Sequence, residues 1–154
     1  MNSIEKNLND LNIQLPNLST PVANYVPYKI VNDIVFISGQ GPLKDNKVLF
    51  SGKVEVDLTI EEAQEAAKLC GINIIAAIKH AINDNWDKFE CIIKLGGFVN
   101  SLPTFTEHPK VLNGASNLMV DVFNDNGKHS RFAVGSSSLP LNMAVEVDAI
   151  IKIK

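Results

Sequence analysis

"HSRFAVGSSSLPLNMAVEVDAI", residues 129–150, is the stretch on which the fold turns. Two strand-like runs, 130–136 and 144–152, flank "SSLPLN", whose serine, proline and asparagine residues mark a connection. Inside the first run stands Arg131, a permanent cation in a segment otherwise suited to a buried strand. Side chains alternate across a strand. The alternation groups Phe132 with Val134, expected toward a helix-covered core, and Arg131 with Ala133 and Gly135 on the opposite side. In the second run Val145, Val147, Ala149 and Ile151 take the core side, leaving Glu146, Asp148 and Ile150 on the other. Read as neighbouring strands, the two runs put Arg131 and Glu146 on one uncovered face.

A partly buried guanidinium needs an acidic partner or an anionic ligand. Two readings are open. Arg131 and Glu146 form a cross-strand ion pair. Alternatively, Arg131 grips a ligand carboxylate through two parallel hydrogen bonds while Glu146 orients water, with Ala133 and Gly135 leaving room beside it. A charge-assisted bond of that kind contributes ~1.5–3 kcal/mol.

Upstream, the elements that would carry this face are clear. "SIEKNLNDLNIQLP" spaces Ile4, Leu8 and Leu11 as a short helix before Pro16, and "NLSTPVANYVP" is a proline-punctuated loop. "YKIVNDIVFISGQGP" reads as two strands across a turn at Asn32-Asp33, with another turn at "KDNK". "DLTIEEAQEAAKLCGINIIAAIKHAIND" is a long helix. Thr59 and Glu62 form its capping box, and Ala63, Ala66, Ala67, Cys70, Ile74, Ala77, Ile78 and Ala81 make its apolar stripe. "FECIIKLGGFV" is apolar on both sides and predicts a central strand, with Cys91, Ile93, Leu95 and Val99 on one face and Ile92, Lys94 and Phe98 on the other. A second helix begins near Pro109 and carries Leu112, Ala115, Leu118, Met119 and Val122. The order hairpin, helix, strand, helix, strand, strand predicts an α+β domain with both main helices on one sheet face. Phe98, Ile92 and Ile150 on the uncovered face suggest a second subunit over it.

The whole chain of 154 residues suits a single domain, and its 45% apolar content suits a globular one. A net charge of −3, with no cluster of lysine or arginine, gives no basic surface for nucleic acid. No apolar run is long enough for a membrane span, and "MNSIEKNLNDL" does not read as a signal peptide, so a cytoplasmic location is expected. Cys70 and Cys91 lie in apolar surroundings without CxxC spacing and read as core thiols. His80, His108 and His129 lack metal-ligand spacing, so no metal is expected. His129 shares the parity of Arg131; it is a solvated residue at the strand end, or it borders the same face. "SGQGP" has neither P-loop nor dinucleotide spacing; it is a turn, or a source of backbone N–H groups at a ligand.

Taken together, "NYVPY", "FISGQGPL", the Arg131 strand and "LPLNMAVEVDAI", with Glu146 fifteen residues after Arg131, resemble the RidA/YjgF/YER057c/UK114 family. The resemblance covers nearly all of the chain after Tyr25 and is nearest to a longer branch, with an N-terminal extension over 1–23 before the family domain at 24–154. It implies a chorismate-mutase-like fold, a homotrimer, and ligand clefts between subunits. It implies hydrolysis of 2-imino acids and their enamine tautomers to 2-keto acids and ammonia, with no cofactor, metal or membrane. Carried over by position, Arg131 binds the substrate carboxylate and Glu146 holds the attacking water. Ser38 and Gly39 line the cleft, Tyr25 closes it from a neighbouring chain, and Asn113 contributes from the second helix. Ala133 stands where the family often has cysteine and retains only its backbone carbonyl. Retention of a small carboxylate without turnover is the alternative, and ribonuclease or translation-inhibiting activity a third.

Overall fold

The computed structural model describes residues 2–18 and 23–154; residues 19–22 of the proline-punctuated loop lie outside them. Helix α1 (Ser3–Asp10) is capped by the Asn2 side chain on the Ile4 N–H. The hairpin strands β1 (Tyr28–Val31) and β2 (Ile34–Gln40) meet at the expected turn, where Asn32 takes φ 54°. A miniature hairpin, β3 (Leu43–Lys44) and β4 (Lys47–Val48), closes through Asp45 and Asn46, both at positive φ as a two-residue hairpin turn demands.

Helix α2 (Ile60–Ala81) opens with the predicted capping box: Thr59 accepts from the Glu62 N–H, and Glu62 accepts from the Thr59 N–H. Then come β5 (Phe89–Asn100), α3 (His108–Phe123), β6 (Ser130–Ser136) and β7 (Val145–Ile153). The main sheet runs β1-β2-β7-β5-β6, antiparallel except for β5 and β6, which are parallel across the α3 crossover. It is an α+β architecture with a mixed sheet and helices on one face.

The core lies between that face and the helices. The α2 stripe of Ala63, Ala66, Ala67, Cys70, Ile74 and Ala77 is fully buried, its small side chains letting the helix lie close to the sheet. Val35, Leu95, Val99, Val145, Val147 and Ile151 face it from the strands, and Leu112, Ala115 and Met119 from α3. Ile4 and Leu8 join the same cluster, so α1 is part of the packed unit. Among the described residues, no helix is long and apolar enough to cross a membrane.

Two expectations fail here, for identifiable reasons. In β5 the alternation is broken by register shifts between Phe89 and Cys91 and between Ile92 and Lys94. Each inserted residue reverses the facing of the residues beyond it. Ile92 is therefore core, at 2% exposure, while Cys91 pairs with Lys152 on the uncovered face and is only half-buried. Cys70 alone is a core thiol. The second failure concerns the last two strands. They are not neighbours, because β5 lies between them. Register pairs Arg131 with Leu95, Ala133 with Gly97 and Gly135 with Val99, all on the helix side, whereas Phe132 and Val134 pair with Gly96 and Phe98 on the uncovered face. Apolar character in an edge strand is thus no guide to which face the helices cover.

Candidate functional site

The same register carries Arg131 and Glu146 to opposite faces of the sheet within one chain. Glu146 pairs with Phe98, two strands in from the edge. Their strands are separated by about 10 Å, two strand spacings. No ion pair joins Arg131 to Glu146, or to any other carboxylate among the described residues. The expected site residues fall into two groups, one on each face.

The first group lies where β6 meets α3. Arg131 is half-buried, and its Nη1 donates to Asn113 Oδ1 and to Ser116 Oγ, each at 3.0 Å. Asn113 and Ser116 are three residues apart on α3, hence on one helix face. Nη1 has two hydrogens, and these neutral acceptors take both. The remaining N–H groups, on Nε and Nη2, lie along the other edge of the guanidinium and have no partner among the described residues. That edge is the planar fork that fits a carboxylate. Ser116 Oγ lies 2.9 Å from His129 Nε2, and His129 Nδ1 lies 2.6 Å from the Gly127 carbonyl. His129 thus joins the Arg131 group rather than standing solvated at the strand end; Ser116 was missed, although its spacing from Asn113 on an amphipathic helix was a readable signal.

Ala133 packs against the core on this side. Gly135 leaves no ligand space, because its missing Cβ would lie 2.6 Å from His108 Nε2. The two small residues make way for α3 and its leading histidine, not for a ligand.

The second group lies on the uncovered face. A Cβ on Gly39 would sit 2.3 Å from Glu146 Oε1, so the carboxylate rests directly over the β2 backbone where the strand register slips between Ile37 and Gln40. Burial chiefly, and then the Asp148 charge, raises the Glu146 pKa above its ordinary value. Asp148 is raised as well, by burial, partly offset by a Gly96 backbone hydrogen bond and by Lys94. Ser38 Oγ donates to the Val26 carbonyl at 2.7 Å and the Ser38 N–H donates to the Pro27 carbonyl, tying down the loop that presents Tyr25. Tyr25 itself projects from the surface at 59% exposure. Around Glu146 the face is apolar and open, with Phe36, Phe98 and Val134 all more than a third exposed.

One chain therefore carries two separate groups, on opposite faces of its sheet. One offers a cation whose fork is unpartnered among the described residues, and the other a carboxylate whose proton affinity is raised. Together they have the chemistry to hold a small acid and manage a proton, but only if two chains bring them face to face.

Known proteins share this architecture. A family model described as "YjgF/chorismate_mutase-like, putative endoribonuclease" matches residues 5–152. Protein TCP17 of Trypanosoma cruzi is 39% identical over 151 residues, covering 97% of this chain and 94% of its own. Among solved structures, Atu1372 of Agrobacterium tumefaciens, of unknown function, is 44% identical with a TM-score of 0.92, covering 99% of this chain and 93% of its own. A protein of Shewanella oneidensis described as a "putative endoribonuclease" is 33% identical with a TM-score of 0.93, covering 98% of this chain and 99% of its own.

Proposed function

This chain belongs to the YjgF/chorismate-mutase-like family, and from that premise we propose that it hydrolyses small 2-imino acids and their enamine tautomers in clefts between copies of itself. The single observation carrying the reading is the unpartnered Nε/Nη2 edge of Arg131, held in place by neutral acceptors on its other nitrogen. A substrate carboxylate docks there through two parallel hydrogen bonds. Its C=N carbon is already electrophilic, so positioning substrate and one water supplies much of the catalysis. Water adds to that carbon and its first proton passes by way of Glu146 to the nitrogen, giving a carbinolamine; the hydroxyl proton then follows to the nitrogen by the same route, and ammonia leaves as the C–N bond breaks and the C=O bond forms. A carboxylate shifted upward by burial suits that shuttle. The net change is imino acid plus water to 2-keto acid plus ammonia, which needs no redox partner.

Because the two groups lie on different surfaces, we read their joining as a heterologous contact of the kind that forms a ring when its rotation closes. The family resemblance makes that ring a trimer. Glu146, Gly39, Ser38 and Tyr25 come from one chain, and Arg131, Asn113 and Ala133 from the next. The open apolar face supports this arrangement, since patches of that kind mark subunit contacts.

A coupled assay tests the reading. 2-Iminobutanoate is generated in situ by a pyridoxal-phosphate-dependent dehydratase, and its loss is followed with wild type and with Arg131→Ala. Faster loss with wild type alone is expected. Equal loss with both leaves carboxylate retention without turnover as the better account. The ribonuclease label carried by the family model and by the Shewanella protein supplies a second arm. RNA cleavage that survives Arg131→Ala would favour that activity, against the acidic charge balance.

A further inference from the structure

We propose that Ser116 and His129 are positioning residues that set the orientation of the Arg131 guanidinium, with His129 working as the neutral tautomer protonated on Nδ1. This rests on the reading of Arg131 as the carboxylate clamp.

For a neutral imidazole the hydrogen bonds admit one consistent direction. The Gly127 carbonyl can only accept, so His129 Nδ1, 2.6 Å away, is the donor. In the neutral ring the other nitrogen, Nε2, is then an acceptor. Ser116 Oγ, at 2.9 Å, donates its proton to Nε2 and keeps its lone pairs for Arg131 Nη1 at 3.0 Å. The chain runs Arg131 to Ser116 to His129 to the Gly127 carbonyl, every donor and acceptor matched.

Its far end is rigid. Gly127 is buried where the turn after α3 folds back, so close that a Cβ there would lie 2.1 Å from the Met119 carbonyl oxygen. The chain thus ties a long, flexible side chain on an edge strand to the helix layer. Asn113 is the second tether, one helical turn from Ser116, and two tethers on one nitrogen fix the plane of the guanidinium. With that plane fixed, the Nε/Nη2 edge faces away from α3. Without Ser116 the group pivots on Asn113 alone, and a bidentate contact becomes an ordinary single one. Neither residue touches the proposed ligand, so neither is catalytic.

The probe is 2-oxobutanoate, the product of the proposed reaction, titrated calorimetrically against the full chain. Ser116→Ala and His129→Leu are each expected to weaken binding about three- to tenfold. The double variant should be no weaker than either single, as for members of one network. Ser116→Thr, which keeps the hydroxyl, and His129→Gln, whose carbonyl oxygen replaces the Nε2 acceptor, should bind within about twofold of wild type. Nitrogen NMR of the wild-type imidazole in mildly alkaline buffer, which needs no variant to fold, should show His129 protonated on Nδ1. The opposite tautomer, additive losses, or singles that bind as wild type while Arg131→Ala does not, overturn the positioning role and leave the clamp standing. An Arg131→Ala protein that binds as tightly as wild type sinks the clamp, and this inference with it.

Discussion

Gly39→Ala isolates the placement of one carboxylate. The new methyl would sit 2.3 Å from Glu146 Oε1, 3.0 Å from its Cδ and 3.3 Å from its Cγ. To recover an ordinary van der Waals separation, the carboxylate must retreat by about 1 Å. Gly39 is not at positive φ, so alanine fits the backbone there. The clash meets the far end of a flexible side chain, and folding should barely notice it. An off-rotamer Glu146 costs about 0.5–1.5 kcal/mol. Replacing glycine by alanine at a compatible site returns about 0.4–1 kcal/mol by restricting the unfolded chain. The net change in stability is expected to be within about 1 kcal/mol, a Tm shift of a few degrees at this chain length. The effect on chemistry is far larger, because a 1 Å misplacement can cost about a hundredfold in rate. We expect kcat for imine hydrolysis to fall by about that factor, with KM changed much less, since the carboxylate clamp is elsewhere. Steady-state kinetics beside a thermal melt decides the matter. A Gly39→Ala protein with wild-type kcat would refute a role for the Glu146 carboxylate in the position described.

The geometry sets three further outcomes. Arg131→Ala and Glu146→Gln proteins, each inactive alone, should regain activity when unfolded and refolded together, because about one interface in four then joins an intact Arg131 to an intact Glu146; sites built within single chains would stay dead in the mixture. Glu146→Gln should raise Tm at neutral pH. A carboxyl whose folded pKa is raised by burial contributes stability while protonated and loses it as pH rises through that value, so the gain should shrink on acidification through the carboxylate range and is checked by melts across that range. Ile92→Ala should cost about 2–4 kcal/mol in denaturant unfolding, and Ile93→Ala less than about 1 kcal/mol; the reverse order would contradict the two register slips in β5.

What could be read from the residues alone was governed by local rules. The Thr59–Glu62 cap, the turn at Asn32 and the alanine stripe of α2 each depend on neighbours a few residues away, and each stands as expected. Asn113 and Gly39 entered through the family resemblance, and the structure sets the first against Arg131 and the second under Glu146. The failures are non-local. Bulges in β5 leave "ECIIKL" looking like any alternating strand, because an inserted residue carries no chemical mark. The face of Arg131 depended on which strand lies beside β6. Proximity in the chain suggested β7, but the α3 crossover delivers β6 parallel to β5 instead. Phe132 and Val134 then misled, since their burial requires a surface outside the chain. An ion pair with Glu146 was the natural guess for a cation that, among the described residues, meets amide and hydroxyl oxygens instead.

Among the described residues the strand bearing Arg131 is the last in its sheet, bonded to a neighbour on one side. Border strands detach more readily than the ladder's interior, so transient fraying there can release the guanidinium while β7 and α2 stay folded. Occupancy by an acid that bridges to an adjoining copy would oppose such fraying by mass action. Amide deuteration along 130–136 is then a gauge of ligation, rapid in the empty protein and slowed when the cleft is filled.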